Sequence, residues 1–108
     1  MTRRPDILFE HMLKAISQIE RYIKGLNEKS FKDDSKTVDA VIRQLAILGE
    51  AANGIPKNLV GDSPIPWQMI VGMRNKLIHD YMGIDIKLVW DTASKQIKSL
   101  KKYVKLKI

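Results

Sequence analysis

The sequence predicts an all-α fold, an antiparallel bundle of four main helices with room for one further short helical turn, and three observations lead there. Apolar residues recur at threes and fours along most of the 108 residues, the spacing of helices that each bury one face. No stretch of useful length alternates with period two, which argues against a sheet. Hydrophobic residues make up 44% and charged residues 29%, a balance that supports a packed core rather than a disordered chain. At this length one domain over residues 1–108 is expected.

The first helix starts near Pro5 and Asp6 and runs to about Leu26, with Leu8, Met12, Ile16, Ile19, Ile23 and Leu26 as its stripe. Gly25, Asn27 and the polar Glu28-Lys29-Ser30 stop it, and Phe31 is placed to tuck a loop onto the core. Asp34 and Ser35 offer an N-cap for a second helix from about Lys36 to Asn53, which turns Val38, Val41, Ile42, Leu45, Leu48 and Ala52 inward. Gly54 and Pro56 end it. Three prolines and Gly61 between Ile55 and Pro66 mark a connecting loop with one short turn. A third helix runs from Pro66 or Trp67 to His79 or Tyr81, with Gly83 beyond its end. Asp85 caps a fourth, whose apolar residues are Leu88, Val89, Trp90, Ala93, Ile97, Leu100 and Val104. Short connections suit antiparallel packing of neighbours.

Composition narrows the chemistry. With 0 Cys, disulfides, thiolate zinc sites and cysteine nucleophiles are excluded. The two histidines, His11 and His79, fall in different helices, and no H-E-x-x-H pattern, P-loop, dinucleotide fingerprint or G-x-S-x-G elbow occurs. No metal and no cofactor is expected. No apolar run approaches the roughly 20 residues of a membrane span, and the first residues lead into an amphipathic pattern rather than a signal core. A cytoplasmic location without membrane contact is the expectation.

The net charge of +7 suits an anionic partner. Its placement is uneven: residues 1–94 hold 13 Lys and Arg against 12 acids, while residues 95–108 hold six lysines and no acid. On an ideal helix Lys95, Lys98, Lys102 and Lys105 cluster on one face, away from the apolar stripe. A contact with RNA backbone, a membrane-surface helix and a solvated face all stay open for it.

The one concentration of reactive side chains is Met73-Arg74-Asn75-Lys76-Leu77-Ile78-His79-Asp80-Tyr81, at the end of the third helix. Asn75 and His79 share a face at i, i+4, so the carboxamide is placed to hydrogen-bond the imidazole and fix its tautomer. A guanidinium beside an imidazole is an apparatus for phosphodiester cleavage: Arg74 stabilises added negative charge on phosphorus, and His79 transfers a proton near neutral pH. A helix-capping His and a solvated Arg are the plain alternative. Arg74 and His79 stand about 140° apart on an ideal helix, so their cooperation needs an unwound helix end or a second chain.

Arg74, His79 five residues on and Tyr81, followed by Gly83-Ile84-Asp85 and Val89-Trp90-Asp91, resemble the HepT toxins of the HEPN superfamily. Asp34, Thr37 to Ile42, Leu48-Gly49-Glu50-Ala51-Ala52, Ile65-Pro66-Trp67 and Gly72 to Asn75 match in order and spacing as well, so the likeness covers nearly the whole chain. The resemblance implies a HEPN-like bundle that forms a homodimer through its motif helices, with two copies of Arg74 and His79 lining one cleft. It implies a metal-independent endoribonuclease, the toxin of a type VII HepT/MntA toxin–antitoxin pair. His79 would transfer protons, Arg74 would stabilise the phosphate and Asn75 would be the polar residue that follows the Arg. Tyr81 would be the site at which an MntA-type nucleotidyltransferase antitoxin adds AMP and silences the toxin. The alternative is a non-catalytic nucleotide-binding or adaptor subunit paired with a minimal nucleotidyltransferase. With such a partner in view, the lysine face has an acidic antitoxin surface as a further reading.

The remaining singled-out residues carry structural readings. Glu50, in a mostly apolar helix, is read as a partner for a nearby Lys or Arg ahead of an active-site carboxylate. Trp67 and Trp90 are read as packing residues ahead of base-stacking platforms. His11 is read as solvated or at the core edge.

Overall fold

A computed structural model describes residues 4–79 and 83–108, with the backbone alone at Ile78 and His79. The described chain is all-helical. Helix α1 spans Pro5–Ile23, α2 Glu28–Lys32, α3 Ser35–Asn53, α4 Trp67–His79, α5 Ile86–Asp91 and α6 Ile97–Lys105, with a 3-10 turn at Lys57–Leu59. A π turn at Thr92–Gln96 joins α5 to α6 without a break.

The long helix α3 is the centre of the bundle, packed along α1 on one side and α4 on the other. Its N-terminus is fixed by Asp34, whose carboxylate accepts from the Thr37 backbone N–H at 3.2 Å and from the Thr37 hydroxyl at 2.6 Å. Those bonds, the side-chain one foremost, hold the Asp34 carboxyl below its usual 3.8. The expected stripes form the core: Leu8, Met12, Ile16 and Ile19 from α1, Val41, Leu45, Leu48 and Ala52 from α3, and Ile97, Leu100 and Val104 from α6 are buried. α6 packs back onto α1 and closes the bundle.

Four details differ from the sequence expectation. The first helix stops at Ile23, not Leu26, because Gly25 takes φ 82°, a left-handed conformation that suits glycine. The polar stretch after it is a helix start rather than a terminator. Asn27 Oδ1 accepts from the Ser30 N–H at 2.9 Å while Ser30 Oγ accepts from the Asn27 N–H at 2.9 Å, a capping box that opens α2 and carries Phe31 into full burial. The fourth predicted helix contains the π turn, where Thr92 and Ser94 hydroxyls donate to the carbonyls of Leu88 and Trp90 at 2.8 and 2.6 Å and compete with regular helical bonding. Ile42 and Leu88 leave the expected core, Ile42 half-buried and Leu88 exposed.

The loop before α4 is tied down firmly. Trp67 Nε1 donates to the Ala52 carbonyl at 3.0 Å, and its ring meets Tyr103 edge-on at 6.3 Å. The Tyr103 hydroxyl donates to Asp62, and Lys107 lies 3.5 Å from the same carboxylate and over the Tyr103 ring. The Tyr103 bond holds Asp62 below 3.8, while burial and then the Asp62 bond push Tyr103 above 10.0. Trp90 packs on Phe31 with ring centroids 5.2 Å apart. Both tryptophans are therefore packing residues, as expected.

Candidate functional site

Gly49 decides where α3 and α4 meet. A Cβ at this position would lie 2.8 Å from the Ile70 carbonyl oxygen and 3.1 Å from the Arg74 backbone nitrogen. Only a residue without a side chain lets the two backbones come this close, and the approach happens at Arg74 itself. The next residue, Glu50, then reaches across: its Oε2 lies 2.5 Å from Arg74 Nε. This is the salt-bridge reading of Glu50. The pair is half-exposed, with side-chain accessibilities of 43% for Arg74 and 50% for Glu50, so it contributes little to stability, about 0–1 kcal/mol. Its consequence is orientation.

Arg74 Nη1 also donates to Asn75 Oδ1 at 3.2 Å. The guanidinium has five N–H donors; Glu50 stands at the Nε edge and Asn75 takes one Nη1 donor, which leaves one Nη1 and both Nη2 donors without a partner among the described residues. Arg74 and Asn75 are thus brought together, with the Asn75 oxygen facing the guanidinium. The α4 backbone is helical through His79, and an ideal helix sets positions five apart about 140° around its axis. The His79 side chain and Tyr81 lie outside the described residues.

The ion pair stands at an open groove of about 820 Å³ between α3, α4 and the segment leading into α5. Val38, Ile42, Ala46, Ile47, Leu77, Ile84 and Ile86 give it an apolar lining, and Asp39, Arg43, Glu50 and Arg74 give it charge. Ile47 is an exposed large apolar residue on this face. Along α3, Ile42, Ala46 and Ile47 follow helical spacing, a second apolar stripe beside the one that faces the core.

The tail lysines are elsewhere. Lys95, Lys98, Lys102 and Lys105 are exposed, but they line no part of the Arg74 groove. Lys95 lies in the π turn, 3.8 Å from Asp91, so it does not continue the regular spacing of the other three. Lys101 and Lys107 are engaged by Glu20 and Asp62. His11 is exposed and lines a small groove with Lys14 and Arg43.

Sequence reasoning did not single out Gly49 or Arg43. An isolated glycine inside an apolar helix was the available signal for the first, since such a glycine usually marks close packing. An exposed arginine in mid-helix carries no comparable signal for the second.

The fold and the groove define a small helical protein with a fixed, partly free arginine on the helix that leads to a histidine. The chain belongs to the HepT-like ribonuclease family, whose model matches residues 12–106. It is 40% identical over 109 residues to a protein of Thermococcus cleftensis named "Probable ribonuclease HepT", covering 99% of each chain. It is 36% identical over 104 residues to a Caldanaerobacter subterraneus protein named "Putative RNase", covering 95% of this chain and 93% of the relative. A Methanocaldococcus jannaschii protein, also named "Putative RNase", is 38% identical over 92 residues, 84% of this chain and 79% of the relative. No solved structure matches. Among the described residues no helix is long and apolar enough to cross a membrane.

Proposed function

We propose that the protein is a metal-independent endoribonuclease whose active cleft forms between the α4 helices of two copies, and that it is the toxin of a HepT/MntA pair. The observation that carries this is Arg74, held by Glu50 and Asn75 with no partner for its Nη2 edge among the described residues, at the rim of an apolar groove left open on α3 and α4. The α4 backbone is helical through His79, which supports a second copy over an unwound helix end as the way to join Arg74 and His79. The apolar face of Ile42, Ala46 and Ile47 suits the seating of a second copy on the groove.

In the proposed reaction the ribose 2′-oxygen attacks the adjacent phosphorus, forming the 2′-O–P bond as the P–O5′ bond breaks. The His79 imidazole takes the 2′-hydroxyl proton, and water delivers a proton to the leaving 5′-oxygen. The products are a 2′,3′-cyclic phosphate and a 5′-hydroxyl end. Arg74 lies against the non-bridging oxygens, where negative charge builds up. His79 of one copy serves as the base beside Arg74 of the other. AMP on Tyr81 would add bulk and negative charge near the end of the motif helix and repel RNA.

Purified protein should cleave RNA in excess EDTA, leave the 2′-deoxy analogue intact, and lose cleavage on Arg74→Ala or His79→Ala. Equal cleavage by wild type and both variants would overturn the reading. Absence of RNA cleavage by the wild type, together with retained binding to a nucleotidyltransferase, would favour the adaptor alternative. Incubation with the nucleotidyltransferase and ATP should add AMP-sized mass, and Tyr81→Phe should abolish the adduct.

A further inference from the structure

The large groove does not end at Arg74. Arg43 and Ile47 on α3 line it, and they also line a second groove of about 290 Å³ between α1 and α3. On the α1 side this second groove presents His11, Lys14 and Gln18, three residues at helical spacing, and on the α3 side Arg43 and Gln44. No carboxylate lines it among the described residues. Neither Lys14 nor Arg43 makes an ion pair among the described residues. Elsewhere among the described residues five lysines are matched by acids, Lys29 by Asp33, Lys87 by Glu28, Lys95 by Asp91, Lys101 by Glu20 and Lys107 by Asp62; what sets Lys14 and Arg43 apart is that they share one groove. The α1–α3 groove is a place where two elements converge fixed positive charge and hydrogen-bond donors with no internal acid to absorb them.

We propose that His11, Lys14 and Arg43 form a phosphate-binding track that holds the backbone of single-stranded RNA where it leaves the Arg74 cleft. This rests on the ribonuclease reading for the identity of the cleft, and extends it by assigning the path of the flanking nucleotides. Lys14 supplies a mobile point charge, Arg43 a planar donor set that can take two phosphate oxygens at once, and His11 and Gln18 supply N–H donors. Among the described residues the groove offers no Phe, Tyr or Trp ring, and its lining of cations and amides suits backbone rather than sequence. Its continuity with the cleft through Arg43 places bound phosphates next to the reacting one.

The probe is a 2′-O-methyl RNA 12-mer, which has no 2′-hydroxyl to react, so binding is measured whether or not the protein cuts RNA. Two phosphate contacts to fixed charges contribute about 1.4 to the logarithmic salt slope for a single strand. Between about 50 and 200 mM salt the wild type should therefore lose about sevenfold more affinity than Lys14→Gln/Arg43→Gln. Lys14→Arg/Arg43→Lys, which keeps both charges, should restore most of the slope. The matched pair Lys102→Gln/Lys105→Gln on α6 should leave it unchanged. An unaltered slope in Lys14→Gln/Arg43→Gln, or an equal fall in the α6 pair, would overturn the track. If wild type cuts no RNA yet 12-mer binding still depends on Lys14 and Arg43, the ribonuclease reading fails and the track stands. If cleavage is retained while binding ignores those residues, the track fails alone.

Discussion

Trp67 and Arg74 stand about two turns apart on the same helix and meet opposite surroundings. Around Trp67 the polar groups are engaged by the fold itself: the indole N–H by Ala52, the Tyr103 hydroxyl by Asp62, the Asp62 carboxylate also by Lys107. Around Arg74 the guanidinium is gripped on one side and has no further partner among the described residues, and apolar side chains beside it face an open groove. One end of α4 closes the bundle; the other offers chemistry to a ligand. A substitution at the first end should cost stability and spare activity, and one at the second should do the reverse.

Trp67→Ala should produce the largest change, a loss of about 3–5 kcal/mol in urea unfolding, with cleavage per folded molecule unchanged. A small loss would mean that the clasp is not what anchors α4. Arg74→Ala should lower RNA cleavage about 10²–10³-fold while its unfolding midpoint stays near wild type, since a half-exposed pair contributes about 0–1 kcal/mol. Gly49→Ala lies between the two regimes. Its Cβ meets backbone on α4, so overpacking should cost about 1–3 kcal/mol and cleavage should fall as well, because the atoms crowded are those of Ile70 and Arg74.

Glu50→Gln should lower cleavage about tenfold, less than loss of Arg74, because it removes the charge that pairs with the guanidinium and keeps the side chain's size. Tyr103→Phe should have the smallest effect, up to about 1 kcal/mol, and its pH dependence sharpens the contrast. Asp62 is held below 3.8, so its contribution is present above that value and is lost as pH falls through the lowered one. Tyr103 is raised above 10.0, so its contribution is present below that value and is lost as pH rises through the raised one. The stability difference between wild type and Tyr103→Phe should be flat between those limits and shrink beyond each.

The helices were legible because burial imposes a period, and the stripes of α1, α3 and α6 carry it plainly. Asp34 was legible as a cap because its chemistry is local. The Asn27–Ser30 capping box is equally local, yet its polarity reads as a terminator when no long apolar run follows. The π turn depends on two hydroxyls winning carbonyls from the backbone, which periodicity does not report. At the site, Arg74 and Glu50 were both singled out, but only packing shows why they meet: Gly49 removes the side chain that would hold the helices apart. Arg43 and Lys14 are far apart in sequence and become neighbours only because α1 lies along α3. The geometry of His79 and Tyr81 falls outside the described residues.

Mixing two inactive variants tests the central claim most directly. In a cleft that takes Arg74 from one copy and His79 from the other, a mixed dimer of Arg74→Ala and His79→Ala keeps one intact pairing. Random reassortment of equal amounts should then restore about one quarter of wild-type RNA cleavage, from two proteins that each cleave almost nothing alone. A mixture as inactive as its components, beside an active wild type carried through the same unfolding and refolding, would contradict a cleft shared between two copies.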